Sequence, residues 1–210
     1  MSEIKITPVK YGESFLPESM VFQNGSKDKS IPIVFLVYLI KKEGRLILVD
    51  AGCVTMPGFE MSNFIGPVKG REKLGINPED ITDVIITHAH HDHIECVRCF
   101  NNATIYIQRD EYESGKSYFS ENMDIRLFDD RADVCPGVKV IKIAGHSKGS
   151  CIVEITDGED KYIVTGDECY LRECLERKIP TGSSYCLENS IKFIEKYSGN
   201  EYKVLLCHEE

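Results

Sequence analysis

The longest apolar run of the chain, IPIVFLVYLI, is followed by the turn-like KKEG and then by RLILVDAG. This pattern predicts a hairpin of two largely buried strands, with Asp50 at a strand end. Further strands are predicted at VII before the first histidines, at ATIYIQ and at YKVLLC near the end of the sequence. Between them, DDRADVCPGVKVIKIAGHSKGSCIVEITDGEDKYIVTGDECY alternates short β runs with turn signals. Helical patterns are fewer. GREKLGINPEDI suggests a short helix and turn, RDEYESGK a helix, and CLENSIKFIEKYSG a helix ended by Gly199, with Leu187, Ile191 and Ile194 as its apolar stripe. Residues 53–70, rich in Met, Pro, Gly and Phe, have no period and predict a long loop. Its Met56, Phe59, Met61 and Phe64 suit a lid over an apolar substrate, a homodimer contact, or plain packing. Clustered strands with helices between them predict an α/β fold. The expected form is a four-layer αβ/βα sandwich, with two mixed β-sheets face to face and helices outside, in a single domain spanning residues 1–210.

Charge narrows the partners. With 25 Lys and Arg against 34 Asp and Glu, the formal net charge is −9, which disfavours nucleic acid. No stretch approaches the ~18 apolar residues of a membrane span. MSEIKITPVKYGE has charges where a signal peptide needs an apolar run, so no membrane partner and a cytoplasmic location are expected. The nine cysteines are odd in number and irregular in spacing, and reduced thiols are the expectation. Cys96 and Cys99 form one C-x-x-C, suited to redox chemistry or zinc, with no second such pair to complete a four-thiolate site.

Candidate chemistry concentrates in THAHHDH, residues 87–93. It holds His88, His90, His91 and His93, four of the six histidines of the chain. The other two, His146 and His208, each fall at the end or edge of a predicted strand. Each could be locally hydrogen-bonded and unrelated to the rest. Imidazole is also the usual ligand of zinc and similar ions, and strand ends gather on one rim of a sheet, so the cluster points to a metal site.

The motif H-x-H-x-D-H, read as His88, His90, Asp92 and His93, resembles the signature of the metallo-β-lactamase fold hydrolases. AGHSKGS, VTGDECY and LLCHEE are similar to the later motifs of that family, and LVDAG to its early strand and turn. The resemblance implies that His88, His90 and His146 bind one metal ion, that Asp92, His93 and His208 bind a second, and that Asp167 bridges both. His91 would stand outside the ligand set and line the pocket. Asp50 would orient a loop or ligand by hydrogen bonds, or simply end a strand. Two divalent ions are implied, zinc first, with manganese, iron or cobalt able to accept the same donors. Such a pair would share a water of lowered pKa as nucleophile, so no serine or cysteine nucleophile is needed, and Asp92 or Asp167 would handle a proton. Tyr170, three residues beyond Asp167, matches a tyrosine of the N-acyl homoserine lactonases that steadies the substrate carbonyl or leaving oxygen; it could instead pack beneath the loop.

The implied activity is dinuclear metal-dependent hydrolysis of a small-molecule lactone or related carboxylic ester. A glyoxalase II-type thioester hydrolase usually adds a helical region after the last metal histidine, and only two residues follow His208 here. A phosphodiesterase of the RNA-processing kind would carry a basic surface. A metal-binding or ligand-sensing module without turnover would be expected to lose a ligand. Two departures bear on the pocket: Ile94, Glu95 and Cys96 stand where glycines are common, and Lys148 replaces a common proline.

Overall fold

The structure is a computed structural model that describes residues 4–210; residues 1–3, included in the expected domain span, lie outside it. One sheet has six strands in sequence order: β1 (Lys5–Pro17), β2 (Ser30–Lys42), β3 (Arg45–Val49), β4 (Asp83–Ile86), β5 (Thr104–Gln108) and β6 (Asp124–Phe128). The second comprises β7 (Arg131–Cys135), β8 (Val138–Lys142), β9 (Cys151–Asp157), β10 (Asp160–Val164) and β11 (Lys203–Leu205). Both sheets are mixed. The pairs from β1 to β3 are antiparallel and those from β3 to β6 parallel, while β10 and β11 pair in parallel beside an antiparallel meander. The helices are α1 (Glu18–Val21), α2 (Pro67–Glu72), α3 (His91–Ile94), α4 (Arg109–Ser114), α5 (Arg172–Glu176) and α6 (Leu187–Tyr197).

The two-residue period of the strands explains the layers. Along β2, Leu36, Tyr38 and Ile40 point into the core between the sheets, against Val138, Val140, Val153 and Ile155 of the second sheet. The alternate residues Ile33, Phe35, Val37 and Leu39 belong to the other core, beneath the helices. The same switch occurs at β4, with Ile85 inward and Val84 and Ile86 outward. A strand covered on both faces reads as a continuous apolar run, which is why IPIVFLVYLI has no alternation. Between β2 and β3, Glu43 and Gly44 have φ of +50° and +79°, the paired left-handed residues of a tight hairpin.

Several elements were not expected from the sequence, among them β6, α1, α3 and α5, and other differences have a physical reason. β1 is a 13-residue strand where none was expected. Charges, Pro8 and a register shift between Lys10 and Gly12 hide its pattern, and all are tolerated because it is the outermost strand of its sheet. In α6 the buried face is Ser190, Phe193, Ile194 and Tyr197. Leu187 and Ile191, expected in the stripe, are 41% and 42% exposed. The long loop closes earlier than expected, since α2 begins at Pro67. Among the described residues, no helix is long and apolar enough to cross a membrane.

The strand ends now lie along one rim. The C-terminal segment bridges the sheets there, because Val34 N–H donates to His208 O at 3.1 Å and Leu36 N–H to Cys207 O at 2.9 Å. Cys151 N–H likewise donates to Thr87 O across the sheets at 2.9 Å.

Candidate metal centre

His88 and His90 occupy the loop leaving β4, and α3 follows at once with Asp92 and His93. His146 lies between β8 and β9, Asp167 in the 3₁₀ turn after β10, and His208 after β11. These seven residues converge in two sets. His88, His90, His146 and Asp167 form one, and Asp92, His93, Asp167 and His208 the other, with the donor atoms of each set within 4.8 Å of one another. In the first set His90 Nδ1 lies 3.0 Å from His88 Nε2 and 2.8 Å from His146 Nε2, and Asp167 Oδ2 is 3.7 and 3.5 Å from those two Nε2 atoms. In the second, Asp167 Oδ1 lies 3.0 Å from both His93 Nε2 and His208 Nε2, and Asp92 Oδ2 lies 3.4 and 4.0 Å from them. One oxygen of Asp167 thus faces each set. Adjacent donors of a tetrahedral ion with bonds of about 2.0–2.1 Å stand roughly 3.3–3.4 Å apart, close to these spacings.

The surrounding hydrogen bonds determine what the imidazoles present. Thr87 O–H donates to Asp50 Oδ2 at 2.9 Å, so its oxygen can only accept from His88 Nδ1, 3.1 Å away. His93 Nδ1 donates to Asp50 Oδ2 at 2.7 Å, and His208 Nδ1 to Val34 O at 3.0 Å. With Nδ1 committed outward in each ring, His88, His93 and His208 turn Nε2 into the site; burial keeps His88 neutral, whereas at His93 and His208 burial is outweighed by the neighbouring carboxylates, Asp167 first, which raise both imidazoles. Buried His93 Nε2 has no hydrogen-bond partner although a carboxylate oxygen lies 3.0 Å away. Buried carboxylates and Nε2 atoms held this close call for positive charge among them, which a proton on His93 or a metal ion supplies, and the spacing of the donors fits a pair of metal ions.

Burial pushes the His146 imidazole down to about 4 and that of His88 well below the ordinary value, reinforced at His88 by its histidine neighbours. Both rings are therefore neutral at cellular pH, the form in which an imidazole can ligate a metal ion. At Asp167 burial alone would raise the carboxyl, but the imidazoles of His93, His208 and His88 outweigh it and hold the group well below its usual range. Asp50, at φ +63°, accepts Thr87 N–H with its other oxygen at 2.8 Å. It thereby orients His93 directly and His88 through Thr87.

A cavity of about 230 Å³ opens onto Asp92, Asp167, His90 and His208. Its remaining wall is largely apolar: Leu16, Met20, Ile33, Phe35, Met56 and Phe59, together with His91 and Tyr170. Tyr170 stacks on His208 with ring centres 4.8 Å apart, and its phenol is influenced by Asp167 and Ser183. Burial, with the Asp167 and Asp92 charges, holds its phenol well above the usual value, so it stays protonated. His91 belongs to neither donor set and bonds Tyr118 Oη and Thr55 Oγ1, both at 2.9 Å. Glu95 accepts Val54 N–H, Thr55 N–H and Thr55 O–H, so it pins the 53–70 loop and is not part of the cavity wall. Lys148 pairs with Asp110 at 2.7 Å.

Several supporting residues gave no signal in the sequence. Tyr11 O–H donates to Asp92 O at 2.8 Å. Buried Glu111 accepts from Ala89 N–H, Ser147 O–H and Gly149 N–H, joining two of the ligand loops. Glu168 accepts from Gly145 N–H, His146 N–H and Ser150 O–H, and burial pushes its carboxyl up to about 7. These contacts explain the glycines of AGHSKGS. A Cβ at Gly145 would meet Glu168 Oε2 at 2.2 Å, and one at Gly149 would meet Gln108 Oε1 at 2.1 Å.

Residues 36–205 match the family model of the metallo-beta-lactamase superfamily. An N-acyl homoserine lactonase of a Bacillus species is 27% identical over 205 residues, covering 86% of this chain and 82% of the relative. A probable metallo-hydrolase of Methanocaldococcus jannaschii is 31% identical over 151 residues, covering 71% of this chain and 66% of the relative. Among solved structures, a quorum-quenching N-acyl homoserine lactone hydrolase superposes with a TM-score of 0.85 at 25% identity, covering 100% of this chain and 93% of that one.

Proposed function

Since the chain belongs to the metallo-beta-lactamase superfamily, we propose that it opens lactones, with N-acyl homoserine lactones as the leading substrate class, at a site holding two divalent ions. The observation that carries this reading is the convergence of seven donors into two sets that share Asp167, beside an apolar cavity suited to an acyl chain. His88, His90 and His146 with one oxygen of Asp167 would hold one ion, and Asp92, His93 and His208 with the other oxygen the second. The donor set of imidazoles and carboxylates favours zinc. When bound, the ions supply a Lewis acid for the ester carbonyl and a nucleophilic water of lowered pKa.

The chain's own residues do the rest. Met20, Met56, Phe59 and Leu16 exclude water and seat the acyl portion, with the 53–70 loop acting as a lid through Met56 and Phe59. Tyr170 keeps its phenolic proton and donates a hydrogen bond to the carbonyl or the departing alkoxide oxygen. Asp92, which lines the cavity, would accept a proton during the attack and return it to that alkoxide oxygen. All nine cysteines are unpaired, which suits a reducing cytoplasm.

The test is a panel of an N-acyl homoserine lactone, a thioester and a phosphodiester with metal-reconstituted protein. Lactone hydrolysis should dominate, and Tyr170→Phe should lower kcat about 10²-fold, the scale of one lost oxyanion donor. Activity confined to the thioester or the phosphodiester would reassign the substrate.

A further inference from the structure

Directly after α3, the 3₁₀ turn Glu95–Cys99 carries the C-x-x-C of the sequence, outside both metal-donor sets. Side chains three residues apart eclipse on such a turn, and the two thiols lie near enough to shift each other's ionisation. Their settings differ. Cys96 is buried, whereas Cys99 is exposed and lines a polar surface cavity of about 180 Å³ with Asn101, Asn102 and Glu79. Behind the pair lies Arg71 of α2. It is fully buried, its guanidinium stacks 4.6 Å from the Phe100 ring centre, and none of its three nitrogens has a hydrogen-bond acceptor. A buried cation without an acceptor is costly unless a negative charge lies near it, and the leading groups that favour its charge are Cys96 and Cys99. Among the described residues, no third His, Cys, Asp or Glu joins the pair within metal-binding reach.

We propose that Cys99 and Cys96 form a second reactive site, a peroxide-oxidised dithiol with Cys99 attacking, Cys96 resolving, and buried Arg71 positioning the charge. The Cys99 thiolate attacks one oxygen of hydrogen peroxide. The O–O bond breaks, and the departing hydroxide takes a proton to leave as water. The Cys96 sulfur then attacks the Cys99 sulfenic acid, forming the S–S bond, and the second hydroxide leaves as water with the Cys96 proton. Two thiols lose two electrons while one peroxide becomes two waters, so the step balances. The neighbouring Cys96 thiol and then the Arg71 charge, set against partial burial, bring the Cys99 thiol down to about 6, and Cys96 remains protonated.

The test treats reduced, metal-loaded, full-length protein with one equivalent of hydrogen peroxide at pH 7, then alkylates free thiols and maps them by peptide mass spectrometry. The expected product is a single Cys96–Cys99 disulfide, reversed by dithiothreitol, and Cys96→Ser should leave a dimedone-reactive sulfenic acid at Cys99. Arg71→Met should slow alkylation of Cys99 at pH 7 several-fold, with Arg71→Lys nearer the parent. The parent's pH profile serves as a second readout that does not depend on the methionine variant folding. Cys99 alkylation should have its midpoint near 6, well below that of half-buried Cys135, whose thiol burial raises. A Cys99 midpoint near the ordinary thiol value of about 8.5 overturns the proposal. So does peroxide oxidation of Cys99 that leaves Cys96 free to alkylate.

Discussion

Asp50 serves both donor sets with one carboxylate, directly at His93 and through Thr87 at His88. Asp50→Asn would place an amide donor or a weaker acceptor against His93 Nδ1, and metal affinity should fall about 10–100-fold with the fold retained. Competition with a chromogenic chelator measures this, and unchanged affinity would deny Asp50 its orienting part. At this scale the histidines were legible because the residue is rare in the chain and clustered, and a motif resemblance paired the distant ones. Thr87, Tyr11, Glu111 and Glu168 were not. Their work consists of hydrogen bonds to partners remote in sequence, such as Tyr11 and Asp92, 81 positions apart, and no local spacing encodes such a bond.

Among the elements, α6 shows why periodicity alone can select the wrong face. Leu187, Ile191 and Ile194 fit a helical stripe as well as Ser190, Phe193, Ile194 and Tyr197 do, and a small buried serine with a polar-tipped tyrosine weakens the true signal. Phe193→Ala should cost about 3–5 kcal/mol, whereas Ile191→Ala, at a half-exposed site, should cost less than about 1 kcal/mol. Urea unfolding of the two variants decides between the faces, and equal losses would contradict the packing described. β4, β5 and the β2–β3 hairpin were readable because strands buried on both faces are almost wholly apolar, while β1, at the sheet edge, mixes charge with apolar residues. The loop carrying His146 is held to α4 by Asp110, which lies 2.9 Å from Lys142 and 2.7 Å from Lys148. Lys148 and then Lys142 hold this carboxyl down to about 2. A depressed carboxyl stabilises the fold above its unfolded value of about 4 and loses that contribution as pH falls through about 2. Half-exposed and screened by solvent, the cluster should contribute little. Asp110→Asn should therefore lower Tm slightly at pH 6, with the difference vanishing near pH 2; a difference that grows on acidification would reverse the sign.

For the whole molecule, the donors come from the ends of four strands in two sheets, so metal binding and sheet-on-sheet packing are coupled. An ion that binds only the folded chain stabilises it by about 4 kcal/mol at a thousandfold excess over Kd. Chelation should thus lower Tm by several degrees, and zinc should restore it; a Tm indifferent to chelator would mean that the ions are not held at the sheet rim. The αβ/βα architecture was legible from the order of strands and helices together with the motif resemblance. The cavity was not, because its walls combine β1, β2, the 53–70 loop and the turn after β10, and nothing in sequence order brings these together. The most direct test of the central claim is the rate of N-acyl homoserine lactone hydrolysis by metal-free protein as zinc is added back. Activity that climbs from near zero and levels off at two zinc ions per chain is the expected result. Full activity without metal, or no lactone opening with two ions bound, would contradict it.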